Sequence, residues 1–287
     1  MSQSSKKRQR LLNLHKSALK GDAKAQYKLS LLLEKGEGMK QDIKKALEWC
    51  QKSAERGYKY AQLELFAYYL DLHKWKKAYK WLKVINDKYR DSNSFFYLGL
   101  FYGQGRGVKR NFFKAASFYQ KAANQGNDSA RLNLGICYAH GRGVKRNLSK
   151  AIDLYRKAAK QGNRNAQYNL GLYYDEGRGV RQSPAIAFKW YLKAAKSGDA
   201  EAQRLVGYYY HEGIGIKKNE KQAVTWYTKA SRDGDKYAQY NLGLCYKNGS
   251  GVIKNIKEAR FWFQKAARVS YKKAKIQLKK LNQQRCA

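Results

Sequence analysis

The chain has 287 residues, of which 60 are Lys or Arg and 21 are Asp or Glu, so its formal net charge is +39. Such a charge attracts polyanions: nucleic acid, anionic membrane surfaces and acidic proteins. Apolar residues make up 43% of the chain and aromatic residues 14%, which excludes an intrinsically disordered composition. No apolar run approaches the roughly 18 residues of a membrane-spanning helix, so we expect no integral membrane association. Whether the charge serves a function or reflects compositional drift stays open at this stage.

Glycines organise the whole chain into repeats. They recur every 36 residues at Gly126, Gly162, Gly198 and Gly234, and Gly21 and Gly57 share this spacing. The pattern predicts seven units, with a basic N-terminal segment and capping helix at 1–20 and a basic C-terminal capping helix at 270–287. The predicted units are 21–56, 57–89, 90–125, 126–161, 162–197, 198–233 and 234–269.

Each unit has the pattern of two helices. In the unit 162–197, Ala166, Leu170 and Tyr174 form an apolar stripe on a first helix that ends at Gly177. Because neither helix buries its stripe alone, the units are expected to stack. The second helix of six units is preceded by a residue type that caps helices: Asp42, Asn111, Asn147, Ser183, Asn219 and Asn255.

A further glycine recurs in the middle of the first helix, where it costs about 1 kcal/mol relative to alanine. Its repetition predicts a close approach of the neighbouring helix. These glycines are Gly99, Gly135, Gly171, Gly207 and Gly243.

Tryptophan and lysine share fixed positions on the second helices. The tryptophans are predicted to lie in the core, and the lysines near the ends of the second helices are predicted to complement the helix C-terminal dipole. The tryptophans are Trp49, Trp81, Trp190, Trp226 and Trp262, and the lysines are Lys52, Lys121, Lys157, Lys193, Lys229 and Lys265.

Three motifs of one unit resemble a known family. They are Ala166-Gln-Tyr-Asn-Leu-Gly-Leu-Tyr-Tyr174, Gly177-Arg-Gly-Val180 and Trp190-Tyr-Leu-Lys-Ala-Ala195. The unit resembles the Sel-one-like repeat family, related to tetratricopeptide repeats, and the resemblance covers 21–269. It implies an all-α fold, an α/α right-handed superhelical solenoid of seven helix-pair repeats of about 36 residues with terminal capping helices. It also implies a non-enzymatic scaffold or adaptor that mediates protein–protein interaction.

The first helices supply the predicted partner site, because in related arrays their residues outside the core stripe face the inner surface. Tyrosine offers contact area with a polar tip, and asparagine can pair with a peptide backbone. The alternative is that these aromatic side chains pack between repeats. Acidic partners are favoured electrostatically. The predicted contact residues are Tyr27, Phe96, Asn133, Tyr168, Asn169, Tyr240 and Asn241.

Basic residues recur in the loops between the helices of a pair. A continuous basic edge of this kind, together with the basic termini, favours the alternative of a nucleic-acid-associated protein. A solvated edge that only keeps the array soluble explains the same pattern, and attachment to anionic lipid is a third interpretation. The aromatic residues keep to core positions, which argues against base stacking. The predicted ladder is Arg106, Lys109, Arg110, Arg142, Lys145, Arg146, Arg178, Arg181, Lys217 and Lys218.

No motif predicts catalysis, a metal site or a cofactor. The four cysteines have no pairing pattern, and the absence of a secretory signal predicts a reducing, cytoplasmic location. The cluster Lys6–Arg10 has the form of a nuclear-import signal, which is the alternative location. We expect a monomer.

Overall fold

The computed structural model describes residues 3–283, with side chains from residue 6 onward. Every regular element in this range is an α helix, which confirms the predicted fold class. The helices are α1 (Gln3–Leu19), α2 (Ala23–Lys35), α3 (Ile43–Glu55), α4 (Lys59–Asp71), α5 (Trp75–Tyr89), α6 (Ser92–Gln104), α7 (Phe112–Asn124), α8 (Asp128–His140), α9 (Leu148–Lys160), α10 (Arg164–Glu176), α11 (Pro184–Lys196), α12 (Ala200–Glu212), α13 (Glu220–Arg232), α14 (Lys236–Asn248), α15 (Ile256–Arg268) and α16 (Lys272–Gln283).

The helices alternate between two roles. We call α2, α4, α6, α8, α10, α12 and α14 the first helices, and α3, α5, α7, α9, α11, α13 and α15 the second helices. The chain forms two compact units: a first unit of residues up to 130 together with 142–145, and a second unit of 131–141 together with 146 onward. Within each unit, helices that are consecutive in sequence pack against each other.

Side chains cap the second helices as the sequence predicts. Asn147 Oδ1 accepts a hydrogen bond from the backbone N–H of Lys150 at 2.9 Å, and Asn111 does the same for Lys114 at 2.9 Å. The same bond is made by the remaining predicted caps, Asp42, Ser183, Asn219 and Asn255. These bonds satisfy N–H groups that the helix itself leaves without partners.

The mid-helix glycines make room for aromatic rings, which confirms the predicted close approach. A Cβ atom on Gly135 would lie 2.6 Å from the ring of Tyr155, and one on Gly207 would lie 2.6 Å from the ring of Tyr227. Gly99, Gly171 and Gly243 face Tyr119, Tyr191 and Phe263 in the same way. We call these five contacts the glycine–ring pairs. Each one joins a first helix to the second helix of its pair.

The loops within the helix pairs dock on the helix pair before them. Gly107 has φ 68°, and a Cβ atom there would lie 2.6 Å from the carbonyl oxygen of Trp75 at the start of α5. A Cβ atom on Gly215 would likewise lie 2.6 Å from the backbone nitrogen of Ala185, at the start of α11. The second glycine of the loop therefore supplies both a left-handed turn and a close backbone contact.

The pair α4–α5 departs from this plan. Its helices are joined by the three residues Leu72–Lys74, of which His73 has φ 54°, and the glycine-containing loop is absent. Arg90 follows α5 in the left-handed conformation, with φ 48°, whereas a left-handed glycine follows α3, α7, α9, α11 and α13. This is the shorter turn that the sequence Tyr68–Trp75 indicates.

Buried side chains form separate clusters along each unit. In the first unit one cluster lies between α1, α2 and α3 and includes Ala18 and Leu29, and a larger one centres on Leu65 and Phe101. In the second unit α16 buries Leu281 and Ala274 against α15. Each helix therefore contributes one stripe to a local core, as a stack of repeats requires.

Candidate interaction surfaces

The aromatic residues predicted for the partner site pack between neighbouring helices. Tyr27 lies 5.4 Å from Tyr58, Tyr168 lies 5.9 Å from Tyr191, and Tyr240 lies 5.7 Å from Phe263, measured between ring centroids. Phe96 likewise lies 6.3 Å from Tyr119. All four are half-buried, so each ring leaves only an edge for a partner.

The predicted asparagines occupy a single position on the first helices. Asn133, Asn169 and Asn241 are half-buried. Asn241 lines a cavity of about 180 Å³ in the second unit, with Tyr208 and His211 of α12 on its other side. In α14 this position therefore reaches open space between two first helices.

A second cavity lies at the corresponding place in the first unit, between α2, α3 and α4. Its volume is about 60 Å³. Glu64 lines this cavity, and in α4 it occupies the position that Asn241 occupies in α14. Glu34 lines it as well, and in α2 it occupies the position that His211 occupies in α12. The rest of the lining is mostly apolar: Ser30, Leu31, Ile43, Ala46, Leu47, Cys50, Leu65 and Tyr68. We call this space the Cys50 cavity.

Burial controls the chemistry of the thiols. It raises the pKa of Cys50 to about 12, with further contributions from the charges of Glu64 and Glu34, and it raises the pKa of Cys245 to about 11. Both thiols are therefore protonated near neutral pH and behave as small apolar groups. Cys137 is buried and free of a disulfide as well, and Cys286 lies outside the described residues. Within 3–283, no three His, Cys, Asp or Glu side chains cluster as metal ligands would.

The ladder residues of the first unit gather around aromatic rings. The Arg106 guanidinium lies 4.4 Å from the centre of the Trp75 ring. Arg110 and Arg142 come from different loops and lie 5.3 and 5.9 Å from the Phe112 ring. Two lysines of the same loops are exposed, Lys109 and Lys145. The structure thus brings two rungs of the predicted ladder together at Phe112.

Ladder residues of the second unit are partly neutralised. Arg178 forms an ion pair with Glu176, and Lys218 pairs with Glu220 at 3.0 Å. The others in this unit are exposed and form none of the ion pairs found among residues 6–283: Arg146, Arg181 and Lys217.

Exposed aromatic residues contradict the expectation that aromatic side chains keep to core positions, and among the described ones Phe113 is the most exposed. Phe113, in the first turn of α7, is 76% exposed and directly follows Phe112, on which Arg110 and Arg142 stack. The sequence has two consecutive phenylalanines after the cap Asn111, and only one can face the core. This doubling was the signal that sequence reasoning missed.

The lysines of the second helices lie over aromatic rings, which the dipole explanation did not predict. Lys229 Nζ lies 4.3 Å from the centre of the Trp226 ring, and Lys193 Nζ lies 4.5 Å from that of Trp190. Lys52, Lys121 and Lys265 make the same contact with the ring three residues earlier. The spacing of three residues, one turn of a helix, was the available signal. Trp81 and Trp226 are buried, as predicted, whereas Trp49, Trp190 and Trp262 are only half-buried beneath their lysines.

Charge is distributed unequally between the two sets of helices. The seven first helices carry nine Lys or Arg and eight Asp or Glu, a net charge of +1. The seven second helices carry 24 Lys or Arg and six Asp or Glu, a net charge of +18. The positive field therefore originates from the second helices, the loops and the terminal helices, and the first helices are nearly neutral.

Comparison with known proteins places the chain in a family. The model of the Sel1 repeat family matches most of the chain, and the chain belongs to this family. Segment 59–95, which holds α4 and α5, lies outside the matches, so the count of seven repeats remains a prediction. The matched segments are 23–58, 96–127, 128–163, 164–199, 200–235 and 236–270.

Solved structures support the same fold. The structure of c5321, a protective antigen of uropathogenic Escherichia coli that displays an SLR fold, is 31% identical and has a TM-score of 0.83, covering 93% of this chain and 58% of that one. A Sel1 repeat protein from Oxalobacter formigenes is 32% identical with a TM-score of 0.66, covering 74% of this chain and 85% of that one. Yeast Tom70, at 15% identity and a TM-score of 0.53, shares the fold alone.

A curated relative matches part of the chain. Rat DAP3-binding cell death enhancer 1 is 35% identical over 40% of this chain, and the match spans 30% of the relative's own length. Sel1 repeat proteins are non-enzymatic scaffolds for protein–protein interaction, and this is the class to which the chain belongs. None of the described helices combines the length and apolarity needed to span a membrane.

Proposed function

We propose that the chain is a scaffold that binds a segment of a partner protein along its first helices. The observation that carries this proposal is the pair of cavities, one in each unit, at corresponding positions between successive first helices. Both open on a set of helices whose net charge is close to zero, and both combine apolar walls with a few polar groups, as binding sites do.

The positive charge gives this scaffold a preference for acidic partners. Charges on the second helices and loops act over distances up to the Debye length of about 8 Å and beyond, and they raise the rate of encounter with acidic proteins. Close contacts are then made by the first helices, because electrostatic complementarity governs association more than final affinity. We also propose a reducing, cytoplasmic location, where cysteines stay in the thiol form.

Photocrosslinking tests where the partner binds. Tyr208 lines the cavity of the second unit and is 42% exposed, so a p-benzoylphenylalanine in its place keeps an aromatic ring there. Phe261, 45% exposed on the second helix α15, provides a matched control position. In nuclease-treated extract we expect discrete protein crosslinks from position 208 and none from position 261. Equal crosslinking from both positions contradicts binding along the first helices.

A second candidate function is binding of single-stranded nucleic acid at the first unit. It is favoured by Phe113, an exposed ring that follows Phe112, which Arg110 and Arg142 contact, because exposed rings stack on bases while cations hold phosphates. Anisotropy of a labelled dT20 strand at 50 and 200 mM salt measures this binding. We expect Phe113→Ala to weaken it about tenfold, since stacking contributes about 1–3 kcal/mol per base. Ile253→Ala, an apolar control that is 91% exposed, should leave the binding unchanged.

Charge reversal separates the two candidates. The changes Arg106→Glu, Arg110→Glu, Arg142→Glu and Arg146→Glu remove the basic loops without touching the first helices. Loss of dT20 binding with unchanged crosslinking at position 208 supports two separate surfaces. If dT20 binds neither the wild-type protein at 50 mM salt nor this variant, the nucleic-acid function is excluded.

A further inference from the structure

The Cys50 cavity lies where the array breaks its own packing rule. In the five glycine–ring pairs an aromatic ring of the second helix lies on a glycine of the first helix. In α2 the position of the glycine holds Ser30, and in α3 the position of the ring holds Cys50. Cys50 stands four residues after Ala46, just as Tyr119 stands four residues after Ala115. The side chain of cysteine is much smaller than a phenol ring, and both Ser30 and Cys50 line the cavity.

The size of the cavity limits what it can hold. A volume of about 60 Å³ is roughly four times the ~10–15 Å³ that one water molecule requires. It therefore matches the end of one side chain. The apolar walls, to which Leu31, Leu47 and Leu65 contribute, suit an aliphatic stem.

Two carboxylates make the opening of the cavity negatively charged. Glu34 on α2 and Glu64 on α4 line it from opposite helices, and both are exposed at its opening. Among residues 6–283 no Lys, Arg or His nitrogen lies within 4.0 Å of either carboxylate, although the chain carries a net charge of +39. Both charges also act on the cavity floor, where they help burial to raise the pKa of Cys50.

We propose that the Cys50 cavity receives an arginine side chain of the partner segment. The aliphatic stem packs on the leucine walls, and the guanidinium lies between Glu34 and Glu64. A planar guanidinium with five N–H donors can bond to two carboxylates at once, which favours arginine over lysine. This proposal rests on the proposed function, since it takes the partner to lie along the first helices, and it names one contact that the partner makes.

The test uses an arginine side chain without its backbone. n-Butylguanidinium is titrated into the full chain at 150 mM NaCl, and methyl resonances of Ala46, Leu31, Leu47 and Leu65 are followed by NMR. The neutral isostere n-butylurea is the matched probe. We expect n-butylguanidinium to shift these resonances with a Kd of roughly 10 mM. We expect n-butylurea to bind at least about tenfold more weakly, because it is uncharged and forms no charge-assisted hydrogen bonds with the carboxylates.

Two variants locate the site. Glu34→Gln with Glu64→Gln is expected to weaken n-butylguanidinium binding about tenfold, whereas Glu37→Gln with Glu48→Gln, the same loss of charge at exposed positions outside the cavity, leaves it unchanged. Ser30→Gly with Cys50→Tyr installs the glycine–ring pair that five other helix pairs carry, and is expected to narrow the cavity and weaken binding. If this double variant fails to fold, the glutamine variants still decide the question.

The proposal is overturned if n-butylguanidinium leaves the four methyl resonances unmoved, or if it binds the Glu34→Gln, Glu64→Gln variant as tightly as the wild type. A partner that crosslinks from position 208 while n-butylguanidinium does not bind contradicts only this inference. Binding of the probe without any crosslinked partner supports the cavity and contradicts the proposed scaffold function.

Discussion

First and second helices have the same length over most of the chain and alternate along it, yet they differ in charge by a wide margin. The first helices carry a net charge of +1 and the second helices one of +18. A uniform compositional drift would have made both sets basic. The difference supports the proposed function, in which long-range attraction and close contact belong to different elements of the array. We propose that the second helices and loops attract acidic partners and that the first helices, with a net charge near zero, make the selective contacts.

The largest expected effect comes from ionising the rings that join the two sets of helices. Burial raises the pKa of Tyr155 and Tyr227 well above the ordinary value of 10.0. Since the folded-state pKa exceeds the unfolded one, their contribution to stability is complete below about pH 10 and is lost as pH rises further. We expect the urea midpoint to hold from pH 7 to 9 and to fall steeply above 10. Tyr155→Phe with Tyr227→Phe should flatten that fall, and Phe263 shows that phenylalanine fits this position.

A smaller loss of stability is expected from filling the space between a glycine and the ring that packs on it. A Cβ atom on Gly99 would lie inside contact distance of the Tyr119 ring, whereas one on Gly103, in the same helix, would lie 3.5 Å from the Tyr119 hydroxyl. We expect Gly99→Ala to lower the free energy of unfolding by about 2 kcal/mol, the cost of overpacking less the helix-propensity gain. Gly103→Ala should raise it by about 0.5–1 kcal/mol. Equal effects in urea denaturation would contradict the glycine–ring pairing.

Removing a second-helix cap is expected to cost about 1 kcal/mol. Asn147→Ala leaves the backbone N–H of Lys150 without its partner, and Asn147→Asp retains it. Asn165→Ala, at an exposed position of α10, is the control and should change the free energy of unfolding by less than about 0.5 kcal/mol. Urea denaturation distinguishes these variants, and a harmless Asn147→Ala would show that packing alone positions α9.

The smallest effect distinguishes lysines that contact an aromatic ring from lysines that only add to the positive electrostatic field of the protein. Lys193 lies over Trp190, but Lys157, at the same position of α9, follows Leu154 and has no such ring. Both lysines interact equally with a helix C-terminal dipole. Lys193→Gln should therefore destabilise the protein by about 0.5 kcal/mol more than Lys157→Gln. Identical effects would leave the dipole as the whole explanation.

Local chemistry made several features predictable. Asn111 and Asn147 cap helices because a side-chain oxygen reaches an N–H three residues on, wherever the chain turns into a helix. Gly171 could be assigned to close packing because its cost within a helix demands compensation, and the Tyr191 ring provides it. Such inferences need only the spacing along the chain.

The candidate sites depended on neighbours that are distant in sequence. Tyr168 was placed on the correct helix, but its contact with Tyr191 and its pKa, raised to about 12 by burial with Glu201 nearby, follow from packing between helix pairs. Arg106 was assigned to a free basic edge, and the structure stacks it on Trp75 of an earlier helix. The ladder and the predicted contact residues remain predictions as binding sites.

The sequence by itself determined the repeat, the helix pairs and their caps, because periodicity and capping are local properties of the chain, and its resemblance to a known family implied the scaffold class. It also contained the exception at Ser30 and Cys50, which appears when corresponding positions of the units are aligned. Only the tertiary structure decided that this exception leaves a cavity between Glu34 and Glu64, that Phe113 faces solvent, and that the lysines cover tryptophans. Cavities and exposure depend on how several helices pack together, and no single segment of sequence specifies that.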